Sequence, residues 1–186
     1  MTKVFVYIGG YAQVGKTSVT NELRSRGYNC FSTSEILYEM AEKMCDIFEL
    51  PCFYENKNQF YGMPLDGRYE LTSEKGRTWL ILLAEKVLVP VFGRQVFAHT
   101  ATQRAIDCDS DLVFIESFNN EENQLMIQYA SNMTPKSNLH VKFNIRRNTE
   151  DPSADSRELL FGAMDLQNDK TIPELVDELL SHTVSL

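Results

Sequence analysis

The sequence is short of basic residues, of paired cysteines and of long apolar runs, and each shortage removes a class of protein. Only 18 Lys and Arg stand against 26 Asp and Glu, for a net charge of -8 and a pI near 4.9. A broad nucleic-acid face needs clustered Lys and Arg to neutralise phosphates. Polymer DNA is therefore not a favoured partner, and at most a local basic pocket remains. No apolar run approaches the ~20 residues of a membrane-spanning helix, so no membrane role is expected. The four cysteines, Cys30, Cys45, Cys52 and Cys108, form no C-x-x-C pair, and no His stands at metal-ligand spacing. That argues against a structural zinc site. With 43% apolar residues the chain has no need of covalent staples. Four free thiols in a reducing cytosol are expected. Met1-Thr2-Lys3 and the seven apolar or Gly residues after it look like a short signal peptide. A small-residue cleavage site is lacking, and the run reads as a buried first strand.

What is present fits one domain: 186 residues, 11% of them aromatic, fall within the usual domain size. The low-hydrophobicity, high-charge pattern of disorder is missing. Lys3 to Ile8, KVFVYI, is nearly unbroken in hydrophobicity, as in a strand buried on both faces of a parallel sheet. Helices are predicted over 16–26, stopped by Gly27, and over 34–48, with apolar residues at helical spacing. A strand is predicted between them at Tyr28–Phe31. Residues 51–69 are turn-rich and aromatic and read as an irregular excursion. A helix is predicted over 72–88, interrupted at Pro90, and another from Gly93-Arg94 to about Ala105. Leu112–Ile115 reads as the central strand beside the first. A helix over 121–131, strands at 139–145 and 163–166, and a closing helix from Ile172, with Pro173 in its first turn, complete the chain. Strands alternating with helices predict a three-layer α/β fold, with about five parallel strands and helices on both faces.

The most specific pattern is Gly10-Tyr11-Ala12-Gln13-Val14-Gly15-Lys16-Thr17, a full G-x-x-x-x-G-K-[ST] match between a strand and a helix. The glycines let successive N–H groups face an anion, and the helix adds its positive end. Gly10, Ala12, Gln13, Val14, Gly15, Lys16, Thr17 and Ser18 are the expected ATP-phosphate site. Lys16 is placed on the β- and γ-phosphates and the Thr17 hydroxyl on Mg²⁺. The guanine signature N-K-x-D is absent, and no strand ends in paired acidic residues. The strand at 112–115 ends instead at Glu116, which is expected to hold Mg²⁺ through water or to orient the attacking oxygen.

Arginines supply the remaining phosphate chemistry. Arg77 and Arg94 are candidate clamps for an acceptor phosphate, through the planar guanidinium fork. Arg146 and Arg147 end a strand at the ligand edge and are candidates to offset charge during transfer. Residues 147–160 are polar and suit a lid, from which Arg157 can act. Tyr54, Phe60, Tyr61 and Tyr69 are candidates for base stacking or for packing the excursion down. Trp79 reads as core, and His99 and His140 as satisfied or exposed histidines.

These residues together resemble the nucleoside-monophosphate-kinase-like P-loop kinases, most closely the deoxynucleoside-monophosphate kinases of large DNA bacteriophages. Phe31 to Glu39 is similar to the segment that begins that family's acceptor site, which implies acceptor roles for Ser34, Glu35 and Tyr38. The runs from Arg77 to Leu83 and from Phe92 to Phe97 resemble its Arg-led helix and the aromatic helix after it. Leu112 to Glu122, Ile145-Arg146-Arg147 and Asp165 to Asn168 with Glu174-Leu175 resemble its middle strand and N-x-E turn, its pre-lid arginine and its terminal segment. The chain departs from the pattern at Glu116 with Ser117 and Asn119, where an Asp and an Arg are usual. It departs again at Tyr38, in place of a Lys, and at Ala84-Glu85-Lys86, in place of Gly-Thr-Glu.

The resemblance implies an ATP- and Mg²⁺-dependent kinase that phosphorylates a (deoxy)nucleoside monophosphate in the cytoplasm, as a monomer or a homodimer. A second reading keeps the fold and makes the acceptor a hydroxyl, on a metabolite or on a modified base such as hydroxymethyluracil in phage DNA. Glu116 or Glu35 would then serve as base. A third reading is a non-catalytic nucleotide-binding module.

Overall fold

The computed structural model of the chain describes residues 2–11, 14–47, 52–54, 60–62, 80–117, 119–134, 138–147 and 159–184. By internal packing the chain divides into two units, Met1–Thr33 with Ala98–Leu186, and Ser34–Phe97.

The first unit holds a five-stranded sheet. Strands β1 (Val4–Gly9), β2 (Asn29–Ser32), β5 (Leu112–Glu116), β6 (Leu139–Arg146) and β7 (Met164–Gln167) lie in the order β2-β5-β1-β6-β7. All four pairings are parallel, so the middle strand is β1 and the run from Leu112 lies beside it. The central strands are buried on both faces, as their unbroken hydrophobicity predicts: Phe5, Val6, Tyr7 and Ile8 expose nothing, nor do Val113, Phe114 and Ile115. Four helices belong to this unit in whole or part: α1 (Lys16–Ser25), α4 (Gln95–Asp107), α5 (Asn120–Met133) and α6 (Ile172–Val184). Val6, Ile8, Phe114, Phe143, Ile145 and Leu166 pack with Val19 and Leu23 of α1 and with Leu175, Val176 and Leu179 of α6. Alternation along the strands turns Phe5, Tyr7 and His140 to the opposite face. The buried positions of α4 are small, Ala98, Ala101, Thr102 and Ala105. The Lys3 ammonium, one residue before β1, donates to the carbonyls of Ala105, Ile106 and Cys108 at 2.5–2.9 Å. It thereby satisfies the C-terminal end of α4, where a cation is favoured. Neither Cys30 nor Cys108 is in a disulfide.

A part-buried polar pair sits on the Phe5 face of the sheet. The Tyr7 hydroxyl lies 3.1 Å from His140 Nδ1, and the imidazole stacks on Phe5 with centroids 5.4 Å apart. Burial pushes the Tyr7 phenol up and holds the His140 imidazolium below its ordinary range. His140 is therefore neutral when folded and protonates more readily when unfolded. Its contribution to stability is complete above about pH 6.5 and is lost as pH falls below that value. Denaturant titrations should show the midpoint of the wild type falling more between pH 7.5 and pH 5.5 than that of His140→Gln. Equal falls would remove His140 from the account.

The second unit contains most of α2 (Thr33–Ile47), a short antiparallel pair of β3 (Cys52–Tyr54) and β4 (Phe60–Gly62), and a helix, α3, over residues 80–92. Ala41, Leu80, Leu83 and Leu88 form its core, with Leu37, Tyr38, Met40, Met44 and Phe97 packed against them. Two expectations are corrected here. Residues 51–69 are not wholly irregular, because Cys52–Tyr54 and Phe60–Gly62 pair; aromatic residues favour such a ladder. Nor does Pro90 interrupt the helix, which runs on to Phe92 with Leu83–Leu88 wound as a π-helix. The wider turn relieves the clash between a proline ring and the carbonyl four residues before it. Trp79 lies outside the described residues.

Candidate functional site

The phosphate loop leaves β1 at Gly9 and enters α1 at Lys16. Gly10 and Gly15 take φ values of +133° and +107°, a region that side chains disfavour. Space excludes side chains as well. A Cβ on Gly10 would collide with the Ile145 carbonyl oxygen, and one on Gly15 would lie 2.6 Å from Asn168 Nδ2. A Cβ on the preceding Gly9 would lie 2.5 Å from Leu160 Cγ. The Lys16 ammonium folds back over the loop, donating to the Gly10 carbonyl and, at 2.8 Å, to that of Tyr11. Ser18 is exposed on α1, and Ala12 and Gln13 lie outside the described residues.

Beside the loop, the ends of three strands align: Ile8 of β1 pairs with Glu116 of β5, which pairs with Ser32 of β2. The Glu116 carboxylate is 5% exposed. It accepts from the Thr17 hydroxyl at 3.4 Å and from the Thr20 hydroxyl at 3.5 Å, one on each oxygen. Thr17 and Glu116, the two expected metal ligands, stand 99 residues apart in sequence and are neighbours here. Thr20 is an addition to the predicted set. It stands one helical turn beyond Thr17, where a side chain meets the same strand end. No group of three or more His, Cys, Asp or Glu suited to a metal occurs among the described residues.

On the other side of the loop, Arg146 closes β6. Its guanidinium lies 3.3 Å from Asp165 Oδ2 and 5.8 Å from the centre of the Tyr11 ring, a cation–π arrangement. Arg147 follows, exposed. Asn144 carries the other Asp165 oxygen at 3.1 Å and ties down Leu160 through both backbone groups. Asn168, just past β7, donates its side-chain amide to the Val14 carbonyl at 2.6 Å. Most of the expected lid, including Arg157, lies outside the described residues.

The expected acceptor residues belong to the second unit. Ser34, Glu35 and Tyr38 occupy the start of α2, and Tyr38 is half-buried against the Ala41–Leu80 cluster. Arg94 pairs with Glu85 at 3.0 Å, both side chains largely exposed, an arrangement that contributes little to stability. Tyr54, Phe60 and Tyr61 fall in the β3–β4 pair. Arg77 and Tyr69 lie outside the described residues.

No helix among the described residues is long and apolar enough to cross a membrane. No family model matches the chain, and no curated protein matches it. Solved structures do. A "putative kinase" from Chloroflexus aurantiacus aligns over 99% of this chain and 97% of its own, with a TM-score of 0.53 and 13% identity. TT1252 from Thermus thermophilus aligns over 100% and 98%, with a TM-score of 0.53 and 16% identity. The likeness is one of fold, a parallel five-stranded α/β sheet with helices.

Proposed function

We propose that the chain is an ATP-dependent phosphotransferase whose acceptor is a nucleoside or deoxynucleoside monophosphate, the product being the diphosphate. The observation that carries it is the phosphate loop with Lys16 at its helix entry and Glu116 against Thr17. Glycine is the only residue that fits both ends of that loop. The residues present also fit a magnesium ion. Thr17 would hold it directly and Glu116 through water, and it would neutralise charge on the transferring phosphoryl group.

The polar groups of this chain do little covalent chemistry. They hold the donor, exclude alternatives of orientation and stabilise charge. Arg146, beside the loop, is suited to the charge that develops during transfer, with Arg147 and Arg157 as further cations. Ser34, Glu35, Tyr38, Arg77 and Arg94 are assigned to the acceptor on the resemblance of their segments. The engagement of both Glu116 oxygens by hydroxyls favours a monophosphate over a hydroxyl acceptor. A phosphate oxygen is already anionic and needs no base, whereas a hydroxyl does.

The test is a coupled assay with ATP and Mg²⁺ against a panel of ribo- and deoxynucleoside monophosphates. Turnover dependent on one or more of them is the expected result. ATP binding without turnover across the whole panel would overturn the monophosphate assignment and favour a hydroxyl acceptor, tested next on small alcohols and hydroxymethylated DNA.

A further inference from the structure

We propose that Asn168 is a positioning residue for the phosphate loop: it fixes the Val14–Gly15 peptide so that the Gly15 N–H faces the bound phosphates. This rests on the phosphotransferase reading of the loop. Asn168 and Val14 are 154 positions apart in sequence, yet the Asn168 amide nitrogen stands 2.6 Å from the Val14 oxygen. A carbonyl only accepts, so the nitrogen of the amide must be the atom that faces it. In a trans peptide the C=O and the following N–H point in opposite directions. Holding the Val14 oxygen toward β7 therefore aims the Gly15 N–H away from β7.

The anchor is itself rigid. The Asn168 backbone N–H donates to the Arg146 carbonyl at 2.7 Å and continues the β6–β7 ladder. Three residues on, the Glu174 carboxylate accepts from the Thr171 N–H at 3.0 Å and from its hydroxyl at 2.7 Å. Both bonds run from Thr171 to that carboxylate and hold the start of α6, whose Leu175, Val176 and Leu179 share a core with Val14. The same side chain gives Gly15 a second reason to be glycine. A Cβ there would meet Asn168 Nδ2 at 2.6 Å, besides being strained at φ +107°. Asn168 is thus placed on the outer side of the loop peptide, where it acts through Gly15 and not on the reacting atoms.

The test compares wild type with Asn168→Ala and Asn168→Asp in the full-length chain. Binding of tripolyphosphate and of ADP is read by calorimetry, and KM for ATP and for the acceptor by assay. Loss of one such bond corresponds to about tenfold in affinity. Asn168→Ala should bind tripolyphosphate about tenfold more weakly, with KM for ATP raised in step and KM for the acceptor unchanged. Asn168→Asp keeps the volume but turns a donor into an anion facing a carbonyl, and should bind more weakly still. Should Asn168→Ala fail to fold, Asn168→Ser takes its place, with affinities expected in the order Asn, Ser, Asp. Asp binding tripolyphosphate as tightly as Asn, or both KM values rising together, would overturn the proposal. A wild type that binds neither tripolyphosphate nor ATP would instead overturn the phosphate-loop reading itself.

Discussion

Lys16→Ala should lower turnover by three orders of magnitude or more while leaving the protein folded. The ammonium is the one cation inside the motif, and a fixed positive charge on the β- and γ-phosphates acts most strongly as charge develops in transfer. A thousandfold loss is about 4 kcal/mol of transition-state stabilisation, ordinary for a single preorganised charge in a site shielded from water. The structural cost is much smaller. Lys16 donates to the Gly10 and Tyr11 carbonyls, and half-buried bonds of this kind contribute about 1 kcal/mol each. For a chain of this size that is a fall in melting temperature of roughly 4–8 °C. The measurement is therefore a pair: steady-state turnover, and thermal melting with and without ATP. A folded variant that retains a tenth of wild-type turnover would remove Lys16 from the chemistry. One that loses activity only because it no longer melts cooperatively would show a structural role instead.

The phosphate loop was legible in the sequence because everything that makes it is local. An apolar strand, two glycines eight residues or fewer from each other and a Lys-Thr helix entry are read directly from neighbouring positions. Strands β1 and β5 were legible for a related reason: burial on both faces leaves an unbroken apolar run. The place of Glu116 at the end of β5 followed from that run. What failed was set by tertiary contact. Asn168 reaches Val14 across 154 positions, and no local pattern marks that bond. Thr20 reads as an ordinary polar helix residue until β5 is laid beside α1. Pro90 reads as a helix stop, and the π-helical turn at Leu83–Leu88 overrides it. The pairing of Arg94 with Glu85, nine positions away, is likewise set by the fold.

Glu116→Gln should raise the Mg²⁺ concentration needed for half-maximal turnover at least tenfold and lower kcat by about a hundredfold at low Mg²⁺. The substitution keeps the shape; one threonine hydroxyl still donates to an oxygen, and the other can turn to accept from the new amide nitrogen, so the fold should persist. What it removes is a buried negative charge. At an effective dielectric of ~20, a unit charge some 5 Å from a cation is worth about 3 kcal/mol per cation charge. Water that enters in its place recovers part of this, which leaves a net loss near 3 kcal/mol, or about a hundredfold. The direction of rescue separates two roles for the same carboxylate. A residue that attracts the metal is compensated by more metal, so raising Mg²⁺ should bring kcat back toward the wild type. A general base is not compensated, because no concentration of Mg²⁺ supplies a proton acceptor at that position. A kcat that stays a hundredfold down at saturating Mg²⁺ would therefore assign Glu116 to proton transfer and make the acceptor a hydroxyl. Recovery would leave Glu116 on the metal and the acceptor an anion that arrives already able to attack.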